Sequence, residues 1–85
     1  MKNITFTPEA FDQFNSWAKQ DKKVYRKLIT LINDTIRQPF TGLGKPEALK
    51  HSLKGYWSRR ITDEHRLVYR VTETEIMITS CRFHY

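Results

Sequence analysis

The sequence predicts an α+β fold in one small domain: a strand, two helices, then an antiparallel meander, with both helices packed on one face of the sheet. Three observations lead there. Two successive stretches carry apolar residues at spacings of three and four, the period of an amphipathic helix. Three later runs, residues 55–62, 65–72 and 75–83, are joined by connections short enough for hairpins. The chain has 85 residues, which suffices for one core. Each amphipathic helix must find its cover there.

The elements follow in order. Residues 2–6 read as a short strand through Ile4 and Phe6. Thr7 is a good N-cap, Pro8 suits the first helical position, and Glu9 complements the positive helix end. The first helix runs to about Lys19, with Phe11, Phe14, Trp17 and Ala18 along one side. Asp21 caps a second helix, whose stripe is Val24, Leu28, Leu31, Ile32 and Ile36. Pro39 stops that helix, and residues 39–46 hold two of the three glycines and two of the three prolines, the composition of a loop. Neither hairpin connection, Asp63-Glu64 or Glu73-Thr74, has the Asn-Gly chemistry that tight turns favour. There is no internal repeat or low-complexity tract, so residues 1–85 are expected to form a single domain.

Composition excludes several classes. Cys81 is the only cysteine, which removes an intrachain disulfide and any zinc site built on paired cysteines. Its expected role is packing. No apolar run approaches the ~20 residues that span a bilayer, and Met1 to Phe6 lack the apolar stretch of a signal peptide. The expected address is cytoplasmic, with no membrane partner. Lys and Arg number 15 against 9 Asp and Glu, a net charge of +6. Residues 37–72 hold eight of those cations but only three acids, Glu47, Asp63 and Glu64. A surplus so concentrated suits a polyanion, and nucleic acid is the commonest one. A solvated basic face explains the charge equally well.

Side chains on a strand alternate between faces. Trp57 and Ile61, then Leu67, Tyr69 and Val71, then Met77, Cys81 and Phe83 form an apolar set expected under the helices. Tyr56, Ser58 and Arg60, then Arg66, Val68 and Arg70, then Ser80, Arg82 and His84 form the opposite set. Arg59 and Ile78 break the alternation. Any wet sheet face carries polar residues, but arginines gathered without acids repel one another unless an anion sits among them. That favours an anion-binding face.

The segments Gly44-Lys45-Pro46-Glu47-Ala48-Leu49-Lys50-His51, Gly55-Tyr56-Trp57-Ser58-Arg59-Arg60-Ile61 and Glu64-His65-Arg66-Leu67-Val68-Tyr69, with the ending Cys81-Arg82-Phe83-His84-Tyr85, resemble the YoeB family of toxins. That family lies in the RelE-like superfamily of bacterial toxin–antitoxin systems. The likeness spans essentially the whole chain, and the four segments in order are its specific part. It implies a RelE-like fold and an endoribonuclease that cuts mRNA in the A site of the 70S ribosome, with no metal and no cofactor. It implies a YefM-like antitoxin, and a homodimer to which Phe11, Phe14 and Trp17 could contribute; core packing serves those three as well. By similarity Glu47 corresponds to the proton acceptor, His84 to the proton donor, Arg66 to the transition-state arginine and Tyr85 to the terminal tyrosine. Lys50, His51, Arg60 and Arg82 are the further groups expected to bind RNA or ribosome. Ala48 stands where some relatives have proline.

The residue types suit such chemistry. Cleavage without metal uses the ribose 2′-OH, a base to take its proton, an acid for the departing 5′-oxygen and cations for the charge on phosphate. Glu47 is the only acid between Asp34 and Asp63, although pairing with Lys45 or Lys50 would serve it too. Histidine exchanges protons near neutral pH, but a terminal His84 can also be idle. Arg66 can grip phosphate oxygens in a bidentate fork or close a cross-strand ion pair. Alternation sends Tyr85 to the face opposite His84, whereas the resemblance puts both at the site; Tyr85 could stack on an unpaired base or cap the core. His65 is expected simply to begin a strand. Two other readings share the fold and charge without needing Glu47 or His84: a non-catalytic ParE-like toxin acting on DNA gyrase, and a plain RNA-binding module.

Overall fold

The computed structural model describes residues 2–83. The elements are β1 (Asn3–Phe6), α1 (Pro8–Gln20), α2 (Lys22–Arg37), β2 (Glu47–Ala48), a 3₁₀ turn (His51–Leu53), β3 (Tyr56–Arg60), β4 (Arg66–Val71) and β5 (Glu75–Ser80). They form one five-stranded sheet in the order β1-β5-β4-β3-β2. The meander β3-β4-β5 is antiparallel as expected, and β1 adds to it in parallel alongside β5. β2 is an edge strand directly after the expected loop, antiparallel to β3, in a stretch for which no element was expected. No helix among the described residues is long and apolar enough to cross a membrane.

The helix ends are set by side chains. Thr7 accepts a hydrogen bond from the Ala10 amide, with Pro8 at the first helical position. Asp21 serves both helices. Its amide donates to the Trp17 carbonyl and closes α1, while its Oδ1 accepts from the amides of Lys23 and Val24 and opens α2. Pro39 follows the last residue able to continue α2, where the Gln38 amide donates to Asp34 O.

Ala10 and Trp17 of α1 and Leu28, Leu31 and Ile32 of α2 pack on Ile61, Leu67, Tyr69, Ile76, Ile78 and Cys81. This corrects the expected faces at two places. Ile76 and Ile78 lie in the core, and Met77 pairs with Arg70 on the other face. A bulge is the reason: Tyr69 pairs with Ile78 but Val68 with Ser80, leaving Thr79 as an extra residue that reverses the alternation. Phe83, expected under the helices, is exposed. Its φ of 62° turns the chain out of the strand path.

Arg59, which breaks the alternation in sequence, is 0% exposed and faces the helices. Its guanidinium donates to Asp34 Oδ2 at 2.6 Å, to the carbonyls of Gln38, Thr41 and Leu43, and to the Tyr69 hydroxyl. The Tyr69 hydroxyl in turn donates to the Pro39 carbonyl at 2.6 Å. A loop with no regular structure thereby has its inward carbonyls satisfied. The Leu43 amide, then Gln38 and Arg59, hold the Asp34 carboxyl well below the usual carboxylate range. The folded chain therefore binds that proton less readily than the unfolded one. The stabilisation is complete above about pH 4 and is lost as pH falls below it. Asp34→Asn is expected to lower stability at neutral pH and to flatten its acid dependence, checked by urea unfolding across pH. An unchanged slope in the variant would refute the assignment.

Candidate active site

The open face of the sheet is built by register. Glu47 pairs with Ser58, and Arg60 pairs with Arg66. Ser58 and Arg60 are two apart on β3 and share a face. Glu47, Ser58, Arg60 and Arg66 therefore look out on the side away from the helices. With Gly44 and Lys45 they line a hollow of about 120 Å³. A larger hollow of about 530 Å³ is lined by Glu47 together with Lys50, His51 and Leu53. Glu47 belongs to both, at an exposed position on the edge strand.

Local structure places each group. Gly44 lets the loop reach the sheet: its carbonyl accepts from the Arg60 amide at 2.7 Å. Its φ is +77°, and a Cβ there would come within 2.9 Å of Leu31 and 3.0 Å of the Arg60 carbonyl. Glu47 follows three residues later. The 3₁₀ turn begins at His51, which holds a φ of 59°, and His51 and Lys50 both line the larger hollow. Arg66 is anchored by the hairpin turn, its Nη1 donating to the carbonyls of Thr62, Asp63 and His65 at 2.7, 3.0 and 3.1 Å. These partners are backbone carbonyls rather than a cross-strand acid. Arg60 makes a long contact of 3.5 Å with Asp63 and stays exposed. Acid and cations thus meet over a floor of Ser58, an arrangement able to hold a phosphate between arginines and a carboxylate beside it. Among the described residues no three His, Cys, Asp or Glu side chains gather as metal ligands would.

Arg82 lies elsewhere. It stacks over Trp17 at 4.3 Å and donates to Gln20 at 2.6 Å, so it leaves the open face to which alternation assigned it. Trp17 is likewise unavailable to a partner, being buried with its Nε1 donating to Cys81 O. Phe14 packs between Phe6 and Tyr25, and only Phe11 of that trio is exposed. Cys81 is buried and its thiol pushed up to about 12 by that burial, which suits packing and not nucleophilic chemistry. His84 and Tyr85, expected as proton donor and terminal tyrosine, lie outside the described residues.

One residue was undervalued by sequence. His65 is nearly buried, edge-on to Trp17 at 4.8 Å, and its Nδ1 accepts from the Phe83 amide at 2.7 Å. Nothing in its local pattern signals this, because the partner is 18 residues away.

Fold and site together define a small basic α+β protein with an acid set among arginines at the edge of its sheet. Residues 6–85 match the family model described as the YoeB-like toxin of bacterial type II toxin–antitoxin systems. Toxin YoeB of Escherichia coli K12 is 51% identical over 82 residues, which cover 96% of this chain and 98% of that one. A YoeB/ParE toxin structure from Agrobacterium tumefaciens superposes with a TM-score of 0.95 at 46% identity, over all of both chains. YoeB of Staphylococcus aureus has been solved as a dimer, TM-score 0.91 at 47% identity over 99% of this chain and 98% of that one. It has also been solved in complex with YefM, TM-score 0.90 at 45% identity over 100% and 99%. The chain belongs to the YoeB-like toxin family.

Proposed function

We propose that this toxin is a ribosome-dependent endoribonuclease that cuts mRNA in the A site, and so inhibits translation, by metal-free acid–base attack of the ribose 2′-OH. The observation that carries the reading is the convergence of Glu47, Arg60 and Arg66 on one hollow through the β2-β3-β4 register. Glu47 takes the 2′-OH proton, Arg66 grips the phosphate as charge builds on it, and His84 protonates the departing 5′-oxygen. Tyr85 stacks on the base. Lys50 and His51 on the rim, with Arg60, hold the RNA backbone, and Arg82 serves the ribosomal contact from the neighbouring surface.

A carboxylate is a weak base at neutral pH, so much of the rate comes from aligning the 2′-OH for in-line attack. The ribosome supplies that alignment, docked on the basic surface through rRNA. The S. aureus structures support a YefM-like antitoxin and a homodimer for this chain. The exposed Phe11, Phe40, Leu43 and Phe83 are apolar surface available to such partners. The protein works in the cytoplasm, where ribosomes are.

The test is primer extension on mRNA in a purified translation system, with and without ribosomes. Cuts confined to the A-site codon and requiring ribosomes are expected. No cuts by folded protein would turn attention to gyrase, the target of the ParE-like reading. Efficient cutting of free RNA would remove the ribosome from the mechanism.

A further inference from the structure

The segment after β5 is strapped down residue by residue. Gln13 Oε1 accepts from the Cys81 amide at 2.8 Å, and Trp17 Nε1 donates to the Cys81 carbonyl at 2.9 Å. Arg82 stacks on Trp17 and donates to Gln20. At Phe83 both backbone groups are taken. The amide donates to His65 Nδ1 at 2.7 Å, and the carbonyl accepts from the Arg66 amide at 3.0 Å. Phe83 holds a φ of 62°, a left-handed conformation that a bulky residue rarely adopts without such restraint. Its ring is exposed, so burial of that ring is not what the strain serves. Accepting at Nδ1 places the His65 proton on Nε2, 3.6 Å from Glu64. The ring is fixed by Trp17 edge-on and by Phe83 at 5.6 Å.

From this geometry we infer that His65 is a positioning residue for the reaction: its Nδ1 holds Phe83, the residue that precedes His84 in the sequence, in the left-handed turn against the Arg66 amide. The inference rests on the nuclease reading, in which His84 and Arg66 act on one phosphate. The same peptide unit that carries the Arg66 side chain bonds to Phe83, so one loop tethers the cation and the chain leading to the acid. An error of about 1 Å in such a constellation costs on the order of 100-fold in rate.

Two variants of the full-length protein separate positioning from packing. His65→Phe keeps a ring against Trp17 and removes the acceptor. His65→Asn loses the ring and offers an amide oxygen near the place of Nδ1. Three readouts are needed: the cleavage rate at saturating ribosome complexes, the half-saturating concentration, and hydrogen exchange at the Phe83 amide. His65→Phe is expected to lower the saturating rate by about 10- to 100-fold, to leave half-saturation unchanged and to speed exchange at Phe83. His65→Asn is expected to recover most of the rate and the protection despite losing the ring. A folded His65→Phe that cuts at the wild-type rate overturns the inference. So does a His65→Asn that fares no better than His65→Phe, because the ring and not the acceptor would then matter. Wild-type protein that makes no cut overturns the nuclease reading and the positioning role with it; Phe83 exchange then still reports whether the clamp forms, so the two failures are told apart.

Discussion

Replacing Arg59 with methionine is expected to destabilise the fold by about 3–5 kcal/mol, the usual cost of removing one partner from a buried ion pair. Arg59 is wholly buried, and its five N–H groups meet five acceptors: Asp34, Tyr69 and the carbonyls of Gln38, Thr41 and Leu43. Methionine fills similar volume but satisfies none of them. Asp34 would keep the Leu43 amide, Gln38 and Arg37 while losing its shortest contact. Lysine is no rescue, because three donors at a single nitrogen cannot reach acceptors spread around a planar fork. Arg59→Lys should therefore lose most of the same stability. Urea unfolding at neutral pH reads both, and a methionine variant within about 1 kcal/mol of wild type would remove Arg59 as the organiser of the 38–44 loop. The consequence reaches the site, since that loop delivers Gly44 to the Arg60 amide and Glu47 to the edge of β3.

Arg59 also shows where sequence patterning stops being informative. Helix caps, helix stripes and the meander were legible because each depends on residues close in the chain: Thr7 with Ala10, Asp21 with Lys23 and Val24. The open-face set on β3 and β4 was legible too, since the two strands pair without a register shift from Tyr56–Arg70 to Arg60–Arg66, although Ser58 and Val68 of that set are buried. The misplacement of Met77 came from a bulge, and a bulge leaves no mark in apolar content. An arginine on an apolar face reads as an irregularity until Asp34, 25 residues earlier, is seen beneath it. The parallel pairing of β1 with β5, the two-residue strand at Glu47 and the His65–Phe83 bond are long-range in the same sense. For the site, single residues were ambiguous: Glu47 with nearby lysines permits an ordinary surface pair. What favoured the functional reading was family resemblance, and what brings Glu47, Arg60 and Arg66 to one hollow is strand register.

That register makes the second large effect specific. Glu47 is exposed on a two-residue edge strand, where a surface interaction contributes about 1 kcal/mol or less, so Glu47→Gln should cost no more than that in stability. Loss of the general base should lower ribosome-dependent cleavage by about 10²- to 10⁴-fold. Arg66→Lys keeps the positive charge and gives up the planar fork, and its loss should be about 10²- to 10³-fold, the range for removing a donor from a developing oxyanion. Part of the Arg66 guanidinium is engaged by the Thr62, Asp63 and His65 carbonyls, so some destabilisation accompanies that change. The discriminating quantity is the ratio of the two losses. Activity falling by orders of magnitude while the unfolding midpoint of Glu47→Gln stays in place assigns Glu47 to the chemistry. Parallel loss of folding and cleavage in Arg66→Lys would reduce that arginine to a clasp for the hairpin turn. A Glu47→Gln protein that cuts as fast as wild type would leave the arginines as phosphate binders only, the behaviour of an RNA-binding module rather than a nuclease.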